Sequence, residues 1–327
     1  MTRSVLLYIV FVLPLILLAA CNDAQQAVTS KISGKEGEVL IVSSVDIQHT
    51  ALRDTLEALL RQEYPYIPQS EPTFTTIFVT QKAFTNVLQP FRNIIMLHFN
   101  ADSMPPSMYR QKDKWANGQR ILSFYATDQR ALAEYVGKNK KQIIALLEEF
   151  ERSRLQVANN ALKNQEIIDS VHALFGLKII VPQGYKLRRA AKDFRWYSIE
   201  TPDISQGLLL YKYKLNGRLP WIPDSIQAHR NKFTALYVPG PNAGTYMQVS
   251  TVIPPEYTLL KKGNDTVCFV RGFWEVKGHP MGGSYISYSR LTPARDSMVV
   301  TDGYIYAPRF HKRDYMRALD AILQSQF

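Results

Sequence analysis

The chain has 327 residues, a formal net charge of +11 and 46% apolar residues. That apolar share excludes a disordered or low-complexity chain, and the length calls for two domains or one elaborate one. The basic excess favours anionic partners such as membrane head groups or acidic envelope polysaccharide. Lys and Arg are nevertheless spread along the chain without a polybasic tract, so they mainly solvate the surface, and nucleic acid is not an expected partner.

Arg3, the apolar run 5–18, and the small residues Ala19 and Ala20 follow the order of a secretory signal. The run is shorter than the roughly 20 residues that a membrane-spanning helix needs, and Pro14 interrupts it. Leu18-Ala19-Ala20-Cys21 looks like the lipobox of bacterial lipoproteins, which implies acylation of Cys21 and cleavage before it. Each buried methylene contributes about 0.8 kcal/mol, so several acyl chains together hold a protein firmly on a membrane. Removing residues 1–20 takes away Arg3 and no acid, leaving a charge of +10.

Residues 1–20 thus read as signal peptide and 21–36, mostly polar and small, as a flexible tether. The segment 22–25 lacks the acidic run that resembles surface-export signals, so the expected location is the outer membrane, facing the periplasm.

An N-terminal α+β domain is expected over 37–127. Residues 38–44 form an apolar run typical of a central strand. Leu52, Leu56, Leu59 and Leu60 then make one apolar helical face. Pro65 and Pro68 end that helix, and strands are expected over 73–80, 92–100 and 119–126.

A long helical connector, 128–176, follows from a cap at Thr127-Asp128 to a stop at Gly176. Its stripe lapses around Asn139 and Lys140 and near Ser153, and a bend is expected at 158–160. The lapses favour an intramolecular strut or hairpin over a coiled coil with a second copy, and the oligomeric state stays open.

From 177 the texture becomes alternating, tyrosine-rich and broken by Gly and Pro, which predicts an antiparallel-sheet α+β domain over 177–327. Strands are expected at 177–181, 194–199, 207–213, 245–252, 257–261, 266–277, 284–291 and 297–306. Helices are expected at 224–236 and 312–323. The glycine-rich segment 277–284 reads as a hairpin tip. The whole is α+β: two mixed or antiparallel sheet domains with covering helices, linked by a long helical segment.

Signatures of catalysis are missing. The six histidines show no metal-binding spacing, and there is no nucleophile elbow, phosphate-cradling loop or dinucleotide fingerprint. No cofactor or metal is expected, no catalytic residue is assigned, and the chain reads as a non-enzyme rather than an enzyme. Cys268, within an apolar strand, reads as a buried structural thiol.

Glu275 and His279 form an acid and base pair only if the hairpin folds them together; a solvated turn histidine is the plainer reading. Arg92, Asn93, Trp115 and Gln119 suit a polar pocket or, more simply, capping and hydrogen bonding. Twelve of the eighteen tyrosines lie beyond residue 176. Together with Trp196, Trp274, Arg188, Arg189 and His279 they suit an acidic glycan or lipid head group, although half-buried strands use tyrosine for packing alone.

Four segments carry a resemblance: Gly37-Glu38-Val39-Leu40-Ile41-Val42, Phe91-Arg92-Asn93-Ile94-Ile95, Lys114-Trp115-Ala116-Asn117-Gly118-Gln119 and Gly303-Tyr304-Ile305-Tyr306-Ala307-Pro308. Through them the chain resembles an uncharacterised lipoprotein family of Bacteroidota whose domain has no assigned function. The resemblance implies an envelope location and a similar length and carries over no functional residues. Residues 177–213, with Val181-Pro182-Gln183-Gly184-Tyr185 and Phe194-Arg195-Trp196, are also faintly similar to photosystem-associated PsbP-like domains.

The expected role is a membrane-anchored binding or assembly module, whose partner is another envelope protein or an anionic glycan. The alternatives are an envelope hydrolase or transferase with an unrecognised site, and a binder of acidic glycan or lipid head groups.

Overall fold

The computed structural model describes residues 30–100 and 105–327, so the lipobox and Cys21 lie outside the described residues. The first domain is built on a sheet in the order β2-β1-β3-β5-β4. Its strands are β1 (Glu38–Ser43), β2 (Thr75–Thr80), β3 (Asn93–Phe99), β4 (Ser107–Lys112) and β5 (Arg120–Ala126). The first four in spatial order run parallel, and β4 closes one edge antiparallel.

Central β1 is buried on both faces, as its continuous apolar run requires. Val39 and Ile41 point to a core under three helices, α1 (Ala51–Leu60), α2 (Gln129–Lys138) and α3 (Lys140–Ala161). Leu40 and Val42 point to a smaller core with Phe84, Phe91 and Trp115. Helix α1 starts at Thr50, whose side chain accepts the Arg53 amide, and buries the four leucines read from the sequence.

Residues 31–33, expected to belong to a free tether, are instead pinned to this domain. Lys31 and Ser33 form bridges with Asn117 and Phe91, and Ser33 N–H donates to Pro90 O at 2.9 Å.

The long helical segment is three helices in succession. It breaks at Asn139, where the stripe lapses and Asn139 Nδ2 donates to Tyr135 O at 2.8 Å. The second break falls at 162–164, slightly beyond the expected bend, where Asn164 caps α4 (Gln165–Phe175) through the Ile167 amide. Helices α2 and α3 pack into the first core, whereas Ile167, Val171 and Phe175 of α4 pack into the second domain.

The second domain is an eight-stranded antiparallel sheet in the order β10-β11-β12-β13-β8-β7-β6, with β9 pairing the far end of β11. The strands are β6 (Lys186–Ala191), β7 (Phe194–Glu200), β8 (Ser205–Lys214), β9 (Tyr246–Val249), β10 (Glu256–Lys262), β11 (Asp265–Lys277), β12 (His279–Leu291) and β13 (Ser297–Tyr306). Alternation along each strand divides the side chains between two cores. Leu208 and Leu210 face α4 and the C-terminal helix α6 (Arg313–Gln324), while Leu209 and Tyr211 face α5 (Pro223–Tyr237).

The expected strand over 177–181 is corrected by the structure. Leu177, Ile179 and Val181 are fully buried, but the segment is extended chain outside the sheet. Its backbone is satisfied elsewhere, with Asn164 N–H donating to Val181 O and Ile180 N–H to Ser325 Oγ, both at 2.8 Å. Strands β4 and β6 escaped the sequence reading because both are edge strands rich in exposed charged residues. The hairpin tip contracts to a turn around Gly278, which takes a left-handed backbone, φ 84°.

The domains are held together by the N-terminal end of α6. Glu71 of the first domain is buried and accepts the amides of Lys312 at 2.6 Å and Arg313 at 3.2 Å. One turn on, buried Arg317 donates to Thr73 O at 2.6 Å, pairs with Glu148 of α3 at 2.6 Å and lies over the Phe74 ring.

Candidate functional site

The candidate site is built on the α5 side of the second sheet, where tightly placed glycines let large aromatics cross the strands. A Cβ at Gly207 would sit 2.1 Å from the Tyr304 ring, so glycine is what lets that ring lie across β8. At Gly283 a Cβ would meet Ile305 O at 2.1 Å and Trp274 Nε1 at 3.1 Å. Trp274 and Tyr304 consequently meet edge to face, with centroids 5.5 Å apart.

The polar atoms of these rings are spent inside the wall. Trp196 Nε1 donates to Tyr304 Oη at 3.0 Å, and Trp274 Nε1 donates to Ile305 O at 3.3 Å. What remains is apolar surface. With Met247, Val276 and Met281 the three rings line a cavity of about 340 Å³, within the range of small-ligand sites.

Polar groups sit on one side of this cavity. Arg188 of β6 donates Nε–H to Ser198 Oγ at 2.8 Å, which leaves the rest of its guanidinium for other acceptors. Glu200 accepts from Ser205 Oγ at 2.9 Å, and that hydroxyl is 3.5 Å from Tyr304 Oη. A neighbouring depression of about 390 Å³ shares Arg188 and Trp196 and adds Arg189 and Tyr246. Arg188 and Trp196 therefore border both hollows.

Of the residues singled out in the sequence, Arg188, Trp196 and Trp274 line one cavity and Arg189 the adjoining one. His279 lines neither; its Nδ1 is buried and has no hydrogen-bond partner among the described residues. Glu275 and His279 are not brought together. The ladder sets His279 opposite Val276 and Glu275 opposite Gly282, and Glu275 accepts from Gln248 at 2.8 Å and Thr251 at 3.1 Å.

Sequence reasoning missed Met247, Met281 and the use of Tyr304 as a wall, since nothing local distinguishes them from core residues. None of the twelve C-terminal tyrosines is exposed, so packing accounts for their number.

Behind Met247 lies a buried ion pair. Arg230 of α5 donates Nε–H to Asp302 Oδ2 at 2.8 Å and rests 3.8 Å over the Tyr285 ring. Burial alone would lower the Arg230 pKa, but Asp302 more than offsets this and keeps the guanidinium charged. Neither charge lines the cavity, so the pair locks α5 to β13.

The polar cluster of the first domain is also structural. Glu151 of α3 is buried and accepts from Arg92 at 2.7 Å, Asn93 at 2.6 Å and the Gly37 amide at 3.3 Å, with Arg154 at 2.9 Å. Gln119 donates to Phe91 O at 2.8 Å and accepts the Trp115 amide at 3.1 Å. These groups gather at the starts of β1, β3 and β5, opposite to the strand ends where open α/β sheets bind ligands. Among the described residues no cluster of His, Cys, Asp and Glu suits a metal, and no helix is long and apolar enough to cross a membrane.

Fold and site together define a two-domain α+β protein with a preformed small cavity in its second domain. Residues 164–325 match the family model described as domain of unknown function DUF4837, and residues 32–160 match a second, DUF8532. The junction falls between α3 and α4. These two matches support an uncharacterised family of unknown function.

No curated protein matches the chain significantly. Solved structures with partial likeness include the Ran-binding protein Mog1p of Saccharomyces cerevisiae, at 11% identity and TM-score 0.32, covering 47% of this chain and 90% of that one. LpqN of Mycobacterium tuberculosis, described as involved in cell envelope biogenesis, gives 11% identity and TM-score 0.28, covering 46% and 80%. The lipid transfer domain of human StarD13 gives 10% and 0.22, covering 50% and 95%.

Proposed function

We propose that the protein is a lipid-anchored binding module of a bacterial envelope. Cys21 fixes it to a membrane, in our reading the outer membrane on its periplasmic side, and the second domain receives an apolar group of an envelope component beside an anionic one. The observation that carries the reading is convergence: Arg188 and Trp196, on the neighbouring strands β6 and β7, and Trp274, much further along the chain, border one cavity whose aromatic donors are already satisfied. Such walls reward an apolar body, while Arg188 supplies charge-assisted recognition of a carboxylate or phosphate. Trp274 and Tyr304 are each 2% exposed, which favours an inserted group over a sugar stacked on an open aromatic platform.

The test is photo-crosslinking in intact cells from position 236, where exposed Leu236 borders the adjoining hollow. A single envelope partner that disappears with Trp196→Ala supports the reading; a pattern unchanged by that variant contradicts it. For the anchor, Cys21→Ser should abolish labelling by palmitate. Degradation by protease added to intact cells would contradict the periplasmic placement.

A further inference from the structure

Strand β6 carries a bulge where it meets β7. The ladder pairs Leu187 with Tyr197 and Arg189 with Trp196, which leaves Arg188 as an extra residue with nothing opposite it. Side chains of a regular strand alternate between faces, so Arg188 and Arg189 would ordinarily point apart. A bulge re-aims one of them. Arg189 stands across from Trp196, and Arg188 reaches Ser198 Oγ at 2.8 Å. Trp196 and Ser198 are two residues apart on β7 and share its α5 face, so both arginines line the outer hollow of about 390 Å³.

That hollow holds two cations and no carboxylate. Among the described residues neither arginine is in an ion pair, and the bond to Ser198 occupies only Nε of Arg188. Glu200, the one acid of the inner cavity, accepts from Ser205 Oγ at 2.9 Å and does not line the outer hollow. The carbonyl end of α5 borders it as well, but a helix terminus carries only about half a charge and offsets a fraction of two guanidiniums. Arg188, Trp196 and Pro239 line both spaces, so one molecule can occupy the two together.

Resting on the reading that the inner cavity receives an apolar group, we propose that the ligand is an alkyl phosphomonoester, its phosphate held between Arg188 and Arg189 and its chain passing Trp196 into the cavity of Trp274 and Tyr304. A phosphomonoester carries a charge of about −1.5 to −2 near neutral pH and three acceptor oxygens, which suits two guanidinium forks; a carboxylate or sulfate ester brings a single charge.

The test is calorimetric titration of the full chain at about pH 7.5, where the phosphate is largely a dianion, with octyl phosphate, octyl sulfate and inorganic phosphate. Octyl phosphate should bind about tenfold more tightly than either of the others, and Arg189→Gln should remove most of its advantage over octyl sulfate. Ala235→Glu, which adds a carboxylate at an exposed position of the same hollow, should do likewise and serves if the arginine variant misfolds. Equal affinity for octyl phosphate and octyl sulfate, or a preference unchanged in both variants, would overturn the inference and leave the reading of the inner cavity standing. Inorganic phosphate binding as tightly as octyl phosphate would overturn it too, since the chain would then contribute nothing. If neither amphiphile binds, the reading of the inner cavity fails and the inference with it.

Discussion

Glu71 of the first domain caps a helix of the second: its carboxylate accepts the Lys312 amide at 2.6 Å, across 241 residues of sequence. The partial positive charge of a helix N-terminus favours a carboxylate there, and burial at both ends keeps water from substituting for it. Glu71→Ala should therefore cost about 2 kcal/mol. Urea unfolding measures this, and a variant as stable as wild type would show that the cap does not hold the domains together.

Arg317 joins three parts of the chain, Thr73, Glu148 and its own helix. Removing it leaves Glu148 partly buried beside Tyr64 with no cation in contact, so Arg317→Ala should destabilise by about 3 kcal/mol. The same variant should increase amide exchange along residues 313–324, which a loss confined to the surface would not do.

Glu151 sets a pH dependence. Burial pushes its carboxyl up, but Arg154, Arg92 and the Asn93 hydrogen bond outweigh this and hold it below the usual carboxylate range. A group with a depressed folded pKa contributes stability that is complete above its unfolded pKa and is lost as pH falls through the folded one. Stability should thus decline below about pH 4.3. Glu151→Gln should lower stability at neutral pH and flatten this acid limb, as equilibrium unfolding across pH would reveal.

Gly207→Ala places a methyl 2.1 Å from the Tyr304 ring, against a wall that has no slack. Overpacking of this kind costs about 1–3 kcal/mol. The displaced ring should break the Trp196 to Tyr304 hydrogen bond and shift the tryptophan emission. An unchanged spectrum and midpoint would mean that β8 yields locally.

Cys268 is 1% exposed, and burial pushes its thiol up to about 11. At pH 8 it should not react with an aromatic disulfide reagent until the protein unfolds. The assay also reads the anchor: an acylated Cys21 leaves no fast thiol on the native chain, whereas a free one gives a single equivalent.

The sequence by itself determined the elements whose signal is local. Leucine spacing set α1, the apolar run of residues 38–43 set a central strand, and tyrosine alternation set the long strands of the second sheet. Each depends on burying one face or both, which periodicity records directly. Only the tertiary structure decided that β1 pairs parallel with two neighbours and that residues 177–181 serve a core without joining a sheet. The same holds for the pairing of Glu71 with α6 and the gathering of Arg188, Trp196 and Trp274 around one hollow. The physical reason is that periodicity says which face is apolar but carries no information about what covers it. A cap supplied from another domain, or a cavity bounded by seven strands, comes into being only when distant segments are packed together.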